Sequence, residues 1–346
     1  MMIRRALIAS AVAIACASVL VAGGFATDAA AAEVLTNEPS PTSAGQAPGG
    51  ESAIQEVEVT GVRPGPSLWR VSKGDHVLWL LGTLDPLPKR MTWRSRQVES
   101  VVEHADLVLA ADPAVSVHAG PIAMVRLYIQ YRHERKIPEK QSLSDVLSPP
   151  LYARFRAVEA RFDSHDGKIE ELRPALAARR LYERAISASD LTSRNDIQDA
   201  VLNLARRHGV TVQRTSLRLD DPRGILTEAG ETPLAAEIGC LDATVERLET
   251  DLPAMRQRAQ AWAIGDVDAL RALPYPKQRE VCKSAAASSP RIKALLDGAA
   301  RDWQAALEGA LATRRTTLAM KPIYDLIEPG GVLATLRAKG YTVEGP

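Results

Sequence analysis

The chain has 346 residues, 43 of them Lys or Arg and 42 Asp or Glu, for a formal net charge of +1. The two signs are interspersed, and five Trp, seven Tyr and three Phe are all the aromatics there are. That composition excludes a concentrated basic stripe or a stacking platform for bases, so nucleic acid is not an expected partner.

The chain opens on Arg4 and Arg5, an apolar run from Ala6 to about Ala26, and small residues ending in Ala30, Ala31 and Ala32 before Glu33. Basic start, apolar middle and small-residue end are the three parts of a signal segment, predicted over 1–32. Export to the periplasm or beyond is the expectation. Residues 33–66, rich in Pro, Gly, Ser, Thr and Ala, cannot bury enough apolar surface to offset their ordering entropy and read as a flexible linker. Within them, Val57, Glu58 and Val59 alternate as a short edge strand would. Residues 67–346 suffice for one large domain or two tightly packed lobes, and no later segment is long and apolar enough to span a membrane.

Leu68–Val71 and His76–Leu81 read as two strands around a Lys73-Gly74-Asp75 turn. The second is almost continuously apolar, as a strand covered on both faces is. It ends at Gly82 and Thr83, before the loop Asp85-Pro86-Leu87-Pro88. A helix from about Trp93 to His104 and a strand over Leu107–Ala111, stopped by Asp112-Pro113, complete a crossover unit. Helical spacing dominates the middle, from about 120 to 205, with helices over Glu170–Ser187 and Asn195–His208, and Val210–Val212 reads as a short strand. Arg132 to Lys136 form a solvated face of that section. Leu248, Leu252, Met255, Ala259 and Trp262 recur at helical spacing, which favours core packing over a cofactor surface, with Pro253 marking a kink or a new start. A long helix over Pro290–Arg315, an apolar segment over Leu318–Ile327, a short helix to Lys339 and a strand at Tyr341–Val343 close the chain. The predicted fold class is α/β (α+β): a mixed central sheet flanked by helices, with a largely helical middle.

Beyond Cys16 in the signal segment, the chain keeps two cysteines, Cys240 and Cys282. Two thiols in an oxidising compartment most often pair, and these lack the C-x-x-C spacing of a redox couple, so a structural disulfide is expected.

No phosphate-loop glycines, G-x-S-x-G elbow or H-E-x-x-H helix occurs, and the six histidines are scattered singly. The loop after the second strand carries the interest, because ligands in open α/β sheets sit at the carboxyl ends of strands. There Gly82 allows close backbone approach, Thr83 follows, and Asp85 offers a carboxylate.

Three segments resemble the TraB/GumN family, which is related to the Tiki-type metalloproteases: Ser67–Val71 with Leu80–Asp85, Leu87-Pro88, Trp93 and Ala105–Leu109; the Trp262…Gly265-Asp266 element; and the closing Asp325-Leu326…Pro329-Gly330-Gly331…Gly340–Val343. The family's pattern implies G-x-x-H after the first long strand, where this chain has Gly82-Thr83-Leu84-Asp85. It implies a Glu at the end of the next strand, where Ala110-Ala111 stand, and another after the strand near Val212, where Thr215-Ser216 stand. A second G-x-x-H corresponds to Pro322-Ile323-Tyr324-Asp325. Both expected His are thus Asp and both expected Glu are missing.

Carboxylates favour Mg or Mn over the metals that imidazole suits, and two of them without a third fixed ligand hold a divalent ion weakly. Repulsion between Asp85 and Asp325, should they converge, raises one pKa unless a cation or an Arg pairs with them; the bland alternative makes each a turn or cap residue. The favoured reading is a non-catalytic member with a binding or structural role in the cell envelope, its partner an envelope protein or small ligand, and no cofactor. The alternative is a metal-dependent hydrolase or peptidase in which Asp85 and Asp325 hold Mn or Mg, assisted by Thr83 or Tyr324.

Overall fold

The computed structural model describes residues 65–162, 167–194, 196–273 and 277–346. The predicted signal segment, nearly all of the linker, the Val57–Val59 alternation, His165 and Asn195 lie outside them.

Ten strands occur among the described residues: β1 (Leu68–Lys73), β2 (His76–Thr83), β3 (Leu87–Pro88), β4 (Leu107–Leu109), β5 (Ala114–Val117), β6 (Leu191–Thr192), β7 (Thr211–Gln213), β8 (Ser216–Leu219), β9 (Thr316–Pro322) and β10 (Thr342–Glu344). Six build one mixed sheet in the order β10-β1-β2-β9-β4-β7. β1 is antiparallel to both its neighbours, whereas β2, β9, β4 and β7 run parallel. The predicted hairpin is β1–β2, turned at Gly74 with φ 61°, a conformation that a residue without Cβ adopts freely.

Helices cover both faces. Leu80 and Leu81 of β2 are adjacent, point to opposite sides and are both fully buried, as are Leu318, Ala319 and Met320 of β9. Two-sided burial explains the unbroken apolar runs. The helices Arg96–Glu103 and Asp196–Arg207 insert Val98, Val102, Ile197 and Val201 into this core, and Trp303 and Leu307 come from the helix Pro290–Thr313.

A second core joins the helices Pro149–Arg161, Pro174–Ala188 and Leu234–Thr250 through Phe155, Leu181, Leu241 and Val245. Predicted boundaries moved inward at several ends: the helix expected from Trp93 starts at Arg96, and the strand expected to Ala111 stops at Leu109. The apolar segment Leu318–Ile327 divides into the end of β9 and the helix Ile323–Ile327. The stripe Leu248–Trp262 is buried throughout, as core packing requires, but belongs to two helices that meet at Asp251, with Pro253 in the first turn of the second, Leu252–Ala263. The small pairs β3–β6 and β5–β8 had no counterpart in the sequence reading. Their strands are too short and mixed to show a period.

Cys240 and Cys282 form a disulfide that ties the helix Leu234–Thr250 to the helix Gln278–Ala286. Chain entropy for a loop of this length predicts about 3–4 kcal/mol of stabilisation. Urea unfolding of the Cys240→Ser/Cys282→Ser chain should show a loss of that order against the oxidised protein. A loss below about 1 kcal/mol would mean that packing alone fixes the second helix.

Candidate functional site at the carboxyl ends of the strands

The four parallel strands end along one edge, and the pairing of β2 with β9 sets Gly82 opposite Lys321 and Thr83 opposite Pro322. The two loops that carry the sequence-predicted residues therefore leave the sheet side by side. Gly82, Thr83 and Asp85 come from the first, Tyr324 and Asp325 from the helix Ile323–Ile327 at the end of the second. Ala110, Ala111 and Asp112 follow β4 at the same edge. Asp85 and Asp325 follow paired strand ends of one sheet edge, and the Asp325 charge is among the causes that raise the Asp85 pKa.

Gly82 earns its place by packing. A Cβ there would lie 2.8 Å from Ile323 Cγ1, so the close approach foreseen at this glycine is made by Ile323. Its carbonyl oxygen accepts a hydrogen bond of 2.7 Å from Trp262 Nε1. The Trp262…Gly265-Asp266 element has structural work throughout. Gly265, at φ 74°, lies under the backbone of Gly65 and accepts a hydrogen bond from Ser67 Oγ. Asp266 caps the helix Val267–Ala272 by accepting from Ala269 N–H at 2.8 Å. At the other end, Gly331 is needed because a Cβ would lie 2.6 Å from the carbonyl oxygen of Asp325.

The charges at this edge are mixed. Arg279, on the helix Gln278–Ala286, places Nη1 3.1 Å from Asp325 Oδ1 and Nη2 3.4 Å from Oδ2. The guanidinium thus spans both carboxylate oxygens. Burial pushes the Asp85 carboxyl up from its ordinary value; Arg247 and Arg279 pull it back, while Asp112 and Asp325 add smaller upward contributions. Part of Asp85 reaches solvent, yet its carboxyl group sits deep among neighbours, and desolvation dominates. Lys321 is held below the usual ammonium range by burial, opposed by Asp325, and its Nζ lies 4.5 Å from the centre of the Trp303 ring. After β4, the Gln198 side chain accepts from Ala111 N–H at 2.8 Å and donates to Asp112 at 2.9 Å, and Trp303 Nε1 donates to the Ala110 carbonyl at 3.0 Å.

Arg279, Arg247, Lys321 and Asp112 were missed in the sequence. Arg279 stands in the run Lys277–Lys283, which reads as a solvated helix face, and only the packing of that helix turns it toward Asp325. Lys321 and Asp112 had one available signal, their position at strand ends.

These observations decide whether the donors fit a divalent metal. Among the described residues no group of three or more His, Cys, Asp or Glu is placed to hold one. Arg279 lies across Asp325, and burial raises the Asp85 pKa, which opposes the charged form that a metal ligand needs. The described residues do not fit the metal that the family resemblance implies.

The sequence profile described as the TraB/PrgY/gumN family matches residues 67–345. The chain belongs to that family. Comparison with curated proteins and with solved structures gives no significant match. The match runs from just before β1 to just past β10, so the six-stranded sheet and both site loops of this TraB/PrgY/gumN protein lie within it.

Proposed function

We propose that this TraB/PrgY/gumN protein is an exported, non-catalytic member of its family with a binding or structural role in the cell envelope. The observation that carries the reading is the Arg279 guanidinium lying across both oxygens of Asp325. A side-chain cation takes the charge-balancing place that a metal has in a hydrolytic site, and it activates no water. Export rests on the pattern of residues 1–32. The disulfide accords with an oxidising compartment.

The test is metal content together with stability. The wild-type chain incubated with Mn, Zn, Co, Mg or Ca should retain no stoichiometric ion. Asp85→Asn should stabilise it at neutral pH. The sign follows from the raised pKa: the folded state holds the Asp85 proton more tightly than the unfolded chain, so stability falls as pH rises above the ordinary value of 3.8. The amide removes that loss, and its advantage should vanish in urea titrations run below that pH. One equivalent of metal that disappears in Asp85→Ala/Asp325→Ala would overturn the reading and restore the hydrolase.

A further inference from the structure

The helix Pro121–Glu134 is apolar on two faces. Leu127 is fully buried and packs with Met124 and Tyr131 on Leu217, Leu219, Ile225 and Ile292. On the opposite face Ile122 is 71% exposed, Ile129 62% and Val125 48%, with Tyr128 at their edge. These residues follow the three- and four-residue spacing that ordinarily marks a core stripe, yet none of the described residues covers them. Four neighbouring large apolar side chains make a patch on the order of a few hundred Å², the size at which an exposed patch marks an interaction surface.

Charge identifies what fits it. Arg126, Arg132 and His133 flank the patch and are exposed. Neither Arg126 nor Arg132 forms an ion pair among the described residues. Glu134, the helix's sole carboxylate, lies against Gly230 on the inner side. On the adjoining helix, Pro222–Gly230, Glu228 is held by Arg291 at 3.0 Å, and Asp221 is bonded to the same guanidinium. A second copy is a poor occupant, because an isologous contact would set the arginines of one helix near those of the other. A row of aliphatic side chains with cations beside it and a Tyr at its edge is the arrangement of a helix lying in a bilayer interface.

We infer that the exposed face of Pro121–Glu134 docks this protein on a membrane surface bearing anionic lipid. Ile122, Val125 and Ile129 enter the acyl boundary, while Arg126 and Arg132 meet the headgroups. The contact is peripheral: among the described residues no helix is long and apolar enough to cross a membrane. It is independent of the chemistry at the strand ends.

The test uses the full chain carrying Tyr128→Trp, so that quenching by brominated acyl chains reports this face whatever other segments contribute. Vesicles of phosphatidylcholine are compared with an equal mixture of phosphatidylcholine and phosphatidylglycerol. Quenching of the added Trp should appear with the anionic mixture and weaken with salt. Each arginine near an anionic surface strengthens binding about fivefold, so Arg126→Glu/Arg132→Glu should weaken partitioning at least 25-fold, roughly. Ile122→Asp/Ile129→Asp should abolish the quenching without lowering the unfolding midpoint, since both side chains are exposed. Equal quenching with both lipids, or none with either, overturns the inference. So does a dimer in sedimentation equilibrium that Ile122→Asp/Ile129→Asp dissolves, or quenching of the added Trp by an acidic polypeptide but not by the anionic vesicles.

Discussion

Trp262→Ala should destabilise the protein by about 3–5 kcal/mol, the cost of removing a fully buried indole. Trp262 is inaccessible to solvent and stands edge-on to Trp93, with ring centroids 5.6 Å apart. Its Nε1–H is also the donor that satisfies the Gly82 carbonyl at the end of β2. The two contributions separate in a second variant. Trp262→Phe keeps most of the apolar volume but leaves that buried carbonyl without its donor, at a cost of about 1–3 kcal/mol. Urea midpoints at unchanged slope give both values. A Trp262→Ala loss below about 1 kcal/mol would show that the helix Leu252–Ala263 does not hold the sheet edge.

That pairing of Trp262 with Gly82 also shows what a sequence can reveal here. The spacing of Leu248, Leu252, Met255, Ala259 and Trp262 identifies an inward helical face, because apolar period follows burial. It does not say that the indole N–H meets a carbonyl from a strand far away in the chain. β2 was legible because its apolar run is continuous. β9, its parallel partner, was only an apolar segment, since Thr316, Thr317, Lys321 and Pro322 flank a short core of Leu318, Ala319 and Met320.

The disulfide followed from counting thiols. Asp85 was found from its place at a strand end and Asp325 through family resemblance, and both follow paired strand ends of one sheet edge. Arg279 stayed hidden, because a charge on a helix looks solvated until the partner of that face is known. The same limit applies to Pro121–Glu134, where periodicity reports two apolar faces but not which one the fold covers.

A comparable loss is expected on breaking the pair between Arg173 and Glu237. Both are buried, Arg173 Nε lies 2.9 Å from Glu237 Oε1, and a second guanidinium nitrogen donates to the Thr232 carbonyl. The pair joins the start of the helix Pro174–Ala188 to the first turn of Leu234–Thr250. Taking two charges from water offsets much of their attraction, but removing one partner strands the other, at about 3–5 kcal/mol. Arg173→Met and Glu237→Gln should each show a loss of that size at neutral pH. Arg173→Met/Glu237→Leu should recover most of it, because similar volumes then pack without a desolvated charge.

The pH dependence supplies an internal check. Burial already holds the Glu237 carboxyl above its ordinary 4.5, with Arg173 pulling it down. Without Arg173 it rises further, so the folded variant keeps a proton that the unfolded chain releases above that pH. The Arg173→Met penalty should therefore grow as pH rises from below 4.5 toward neutrality and nearly close at the acid end. A penalty flat across that range would mean that Arg173 acts through its bond to Thr232 and its packing, with the charge of Glu237 contributing little.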